Sequence, residues 1–80
     1  MPYVTVERRA ALAEGDPIKG PGDLNYLITL LLKRYWANSA RRYQDINDIL
    51  GALEGAKSEF YRRVAVSYEE EKIRTNGDVW

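Results

Sequence analysis

Arg62 and Arg63 follow Phe60 and Tyr61 directly. Guanidinium groups beside aromatic rings suit a phosphate-bearing ligand. The arginines hold the phosphate through charge-assisted hydrogen bonds, and the rings stack on a base. Tyr61 is the nearer stacking ring, and Tyr68 is a second. Lys57 falls on the apolar side of the same segment, close to the projection of Leu50 and Phe60. A lysine there snorkels to water, pairs with Glu54 or Glu59, or faces a bound anion. Asn47 and Asn25 offer directional hydrogen bonds. Asn25 interrupts an otherwise apolar arc, and a buried Asn needs partners. The plainer reading of Phe60–Arg63 is core next to solvated surface. Six tyrosines in 80 residues tilt the balance towards binding, because Tyr offers contact area at little entropic cost.

Other chemistry is sparse. Asp45 and Asp48 stand three apart, and Glu54 and Glu59 follow. Carboxylates on neighbouring helices hold magnesium in helical nucleotide pyrophosphatases, so a metal-dependent nucleotide hydrolase is one reading. The acids are few, however, and two of them open a helix, where the dipole alone favours them. With no His and no Cys, the chain has no Ser-His-Asp or Cys-His centre of its own, no disulfide and no zinc knuckle. There is no P-loop and no GxGxxG. The expectation is a non-enzyme with no metal and no cofactor.

Four segments must position these residues. Thr5 is a plausible N-cap, with Glu7 in the first turn and Gly15 as the stop. Gly15–Gly22 has three Gly and two Pro, which makes a loop. Pro21 and Asp23 open a second helix on which Leu24, Leu27, Ile28, Leu31 and Tyr35 recur at helical spacing. Leu30, Leu32 and Trp36 widen that arc, and residues 38–42 connect onward. From Gln44 to about Val64 the apolar set is Ile46, Ile49, Leu50, Leu53, Ala56, Phe60 and Val64, again helical. Opposite it fall Gly51 and Gly55, with spacing that fits either a close helix contact or a ligand groove. Ser67-Tyr68-Glu69-Glu70 reads as a capping box. It predicts a break near Val66 and a short fourth helix from Tyr68 to Asn76-Gly77. The nearest approach to a strand pattern is Tyr3–Val6.

The predicted fold is therefore all-α over 1–80 as a single domain. A helical hairpin of the two main helices is flanked by short terminal ones, and copies assemble as a homo-oligomer. A chain this small buries little surface alone, and with no covalent staple oligomerisation is the natural supplement. The C-terminal Trp80 is costly to expose and is expected to dock, for example on a second subunit. Twelve basic and twelve acidic side chains cancel, which argues against nonspecific DNA binding. The charge is uneven, with a net +3 over 21–43 and −2 over 64–80. No apolar run reaches ~18 residues and no leader pattern opens the chain, so no membrane partner and a cytoplasmic location are expected.

The pieces PGDLNY, YQDINDILGALEGAKSEFYRR and YEEEKIRTNGDVW resemble a family of short, uncharacterised phage and bacterial proteins. Members carry Pro just before the tyrosine that corresponds to Tyr68, where this chain has Ser67. The resemblance implies no established activity and assigns no residue a role. Small phage proteins without catalytic residues often inhibit host enzymes or sequester immune nucleotides, and by that analogy the expected function is capture of a cyclic nucleotide or ADP-ribose type signal. The alternative is a protein–protein inhibitor or adaptor acting on a host protein.

Overall fold

A computed structural model describes residues 4–80, and among them every regular element is helical. They fall into two compact units that divide between Asp45 and Ile46. Part of the Tyr3–Val6 run lies outside the described residues. Of the rest, Val4 and Thr5 precede the first helix and Val6 opens it.

In the first unit, α1 spans Val6–Ala13. Thr5 caps it as expected, its Oγ1 accepting the Arg8 N–H at 3.1 Å. Gly15 ends it at φ 98°, a left-handed conformation that glycine adopts without a Cβ clash. Helix α2 spans Pro21–Asn38, with Pro at its start. Leu12 and Val4 are the buried apolar residues of this unit. The loop between the helices is fastened by Arg8. It donates to Asp23 Oδ2 through Nη2 at 2.6 Å and Nε at 3.1 Å, to Asp16 at 3.2 Å, and to the Pro17 carbonyl at 2.7 Å. The Lys19 amide adds a third donor to Asp23 Oδ2 at 3.0 Å. Arg8 first, then the Lys19 amide, hold the Asp23 carboxyl below its ordinary range. Helix α2 ends where Ser39 turns extended and its hydroxyl donates to the Trp36 carbonyl at 2.8 Å.

Helix α3 spans Tyr43–Phe60. At its start the buried Asp45 accepts the Arg42 N–H at 3.0 Å, the return half of a capping box. This main-chain role uses one of the carboxylates weighed above as a metal ligand. Among the described residues no three acids gather to hold a metal ion.

The expected break near Val66 does not occur. A π-turn over Tyr61–Ala65 joins α3 to α4, Val66–Asn76, and Ala65 and Val66 keep helical dihedrals. The π register shows in the Val66 N–H, which donates to the Tyr61 carbonyl five residues back. Ser67 is no cap, because its hydroxyl donates backwards to the Arg63 carbonyl at 3.2 Å. So there is no separate short C-terminal helix. No Gly or Pro between Lys57 and Asn76 forces a stop, and a four-residue cap pattern cannot by itself interrupt a propagating helix. Gly77, at φ 83°, ends the helix where expected. No helix among the described residues is long and apolar enough to cross a membrane.

Candidate functional site

The π-turn gathers most of the expected ligand residues on one stretch of helix. Arg62 and Arg63 converge on a single carboxylate, Glu59, which precedes them by one helical turn. Arg62 Nη2 donates to Glu59 Oε2 at 2.6 Å, and Arg63 Nε donates to Glu59 Oε1. Acid-before-base spacings of three and four residues favour such a fork. Arg63 first, then Arg62, hold the Glu59 carboxyl below its ordinary range, because both favour its ionised form. Both arginine side chains remain about 70% exposed.

Tyr61 and Tyr68 precede and follow the arginines along the helix, and both are exposed. The Tyr61 hydroxyl donates to Glu69 Oε1 at 3.5 Å. Eight residues separate the pair, whereas two ordinary α-turns take about seven. The wider π-turn takes up the difference and brings Glu69 into line with Tyr61. Lys72 Nζ stands 5.4 Å from the centre of the Tyr68 ring, a cation–π contact. One face of Tyr68 is thus occupied by a cation.

The other candidates are less close. Lys57 is exposed, one helical turn before Tyr61. Asn47 is exposed and lies ten residues before Lys57, about 15 Å along the helix. Asn25 belongs to the first unit, where its carbonyl and its Oδ1 both accept the Thr29 hydroxyl, at 2.9 and 3.3 Å. A Cβ built on Gly51 or Gly55 meets nothing within 4 Å, so the chain itself uses neither glycine for a close approach.

Over residues 1–79 the chain matches a family described as a domain of unknown function, DUF6899. It belongs to that family. No curated protein and no solved structure matches it.

Two features of this DUF6899 chain were missed by reading its residues in order. Glu59 was weighed only as a partner for Lys57 or as a magnesium ligand, though its spacing to Arg62 and Arg63 is a standard helical ion-pair signal. The Arg8 clasp had no comparable signal, because Arg8 and Asp23 meet across fifteen residues of turn and loop. At the far end of the second unit, Tyr68, Lys72, Ile73, Val79 and Trp80 line an open concavity of about 330 Å³. Trp80 itself is fully exposed there and docks on no part of the described chain.

Proposed function

We propose that this DUF6899 chain is a non-catalytic binding protein of the cytoplasm, working as a homo-oligomer, that captures a phosphate-bearing, nucleotide-like anion. The reading rests on one observation: two adjacent guanidinium groups fork onto one exposed carboxylate, on the same stretch of helix as two exposed tyrosines. Glu59 occupies the place an anion would take. Exposed ion pairs of this kind hold weakly, so a phosphate with more acceptor oxygens displaces Glu59 at little cost. Tyr61 and Tyr68 then supply stacking surface for a base, and Lys57 adds charge one turn away. The matching ligand class is a cyclic nucleotide or ADP-ribose type signal, which such a protein removes from circulation as an anti-defence sponge. Calorimetry of the purified chain against a panel of these nucleotides tests it. Saturable binding is expected, weakened roughly tenfold or more by Arg62→Ala and again by Arg63→Ala. Silence across the panel sinks the reading.

A second reading, an inhibitor or adaptor that docks on a host protein, is favoured by the bare Trp80 beside its apolar concavity. Pull-down from a host lysate then recovers a stoichiometric partner with the native chain and loses it with Trp80→Ala.

A further inference from the structure

The second unit has no core. From Ile46 to Trp80 no side chain is buried. Yet Ile46, Leu50, Leu53, Phe60 and Val64 lie along one side of the helix at 41, 59, 39, 66 and 51% exposure. With Lys57 they step by four and three residues in turn, the seven-residue rhythm of helices that pack along a shared seam. A lone helix draws most of its stability from burying such a face, and here nothing within the unit covers it.

We propose that this stripe packs antiparallel against the same stripe of a second copy, centred near Gly55. The inference rests on the homo-oligomer of the preceding reading and specifies its surface. About that centre the stripe maps onto itself: Ile46 faces Val64, Leu50 faces Phe60, and Leu53 faces Lys57. A two-fold contact requires this self-complementarity. Charge selects the orientation. A parallel pair sets Lys57 against Lys57 and the run Glu69–Glu71 against itself. The antiparallel pair brings Lys57 within a turn of Glu54 of the second copy. It also sets Arg42, the residue before α3, opposite the second copy's Glu69–Glu71. Gly51 and Gly55 face away from the seam and stay free.

Sedimentation of the full chain over a concentration series, with crosslinking, tests the pairing. A dimer is expected whose dissociation constant rises at least about tenfold in Leu53→Glu or Phe60→Glu and is unchanged in Gly51→Ala. The natural chain has no cysteine. Ile46→Cys and Val64→Cys chains mixed and oxidised therefore give a 46–64 disulfide, and neither variant links efficiently to itself. Linking of Ile46→Cys to itself overturns the orientation. A helical chain that stays monomeric at every concentration overturns the pairing and the homo-oligomer together. An oligomer indifferent to Leu53→Glu and Phe60→Glu, with no 46–64 link, overturns this seam and leaves the homo-oligomer standing on another surface. Nucleotide calorimetry reads the anion site independently of all three.

Discussion

Asp23 and Glu59 are the two carboxylates whose surroundings set the chemistry of their units. Each has a lowered pKa, so each contributes to stability when ionised and loses that contribution as pH falls. For Asp23 the consequence is structural. Its three donors fasten α1 and the loop to the start of α2. Stability of the first unit is expected to hold above the ordinary carboxylate range, near pH 4, and to drop below it as Asp23 protonates. Asp23→Asn should lower the thermal midpoint at pH 7 by several degrees and flatten this acid limb, whereas Asp16→Asn changes little. Thermal melts from pH 2 to 7 check both. For Glu59 the consequence is competitive. Glu59→Gln removes the charge that occupies both arginines, so affinity for a phosphate anion is expected to rise several-fold. Calorimetry on the variant reads it, and an unchanged or weaker affinity would mean that phosphate does not replace Glu59.

At the scale of elements, the start and stop of α1 were legible because Thr5 and Gly15 act through their nearest neighbours. The start of α2 at Pro21 and the stop of α4 at Gly77 were legible for the same reason. The capping box at Ser67 was misleading because its four residues also fit a helix interior, where Ser67 bonds back to Arg63. The π-turn was not legible at all, since it is a choice of hydrogen-bond register and has no residue signature in Tyr61–Ala65. If Ser67 sits mid-helix, Ser67→Ala gains stability by up to about 0.5 kcal/mol through propensity. A capping Ser would instead cost about 1 kcal/mol on the same change. Chemical denaturation decides between the two signs. The glycines are a second test of the same helix. With open space around each, Gly51→Ala and Gly55→Ala should each stabilise by about 0.5–1 kcal/mol. Loss of stability instead would reveal a partner resting on that face.

For the whole molecule, the dominant fact is how little is covered. Val4 and Leu12 are the buried apolar residues among those described, while the long helix carries its apolar side in the open. The proposed assembly of copies requires melting to depend on concentration. A hundredfold increase in protein should raise the midpoint by roughly 5–10 °C, and a midpoint that does not move would count against assembly. Differential scanning calorimetry across that range makes the measurement. How much of the site was legible follows from the same architecture. Lys57, Tyr61, Arg62, Arg63 and Tyr68 sit on one continuous helix, so counting along the sequence was enough to group them. Asn25 is separated from them by the whole connection between α2 and α3, and spacing along a helix says nothing about it.

The π-turn has one more consequence. It behaves as a single residue inserted into a regular helix and absorbed without breaking it. Everything beyond Ala65 is thereby rotated about the helix axis by about a quarter turn from where an uninterrupted α-helix would carry it. Removing one residue from Tyr61–Ala65 would leave the helix intact and the composition nearly unchanged. It would convert the π-turn to an ordinary α-turn and set Tyr61 and Glu69 about seven residues apart, which keeps that pair in line and the acidic run on its present bearing. In this protein the π-turn makes a one-residue change of length neutral in aim, and relatives that lack the extra residue would present the same side chains in the same direction.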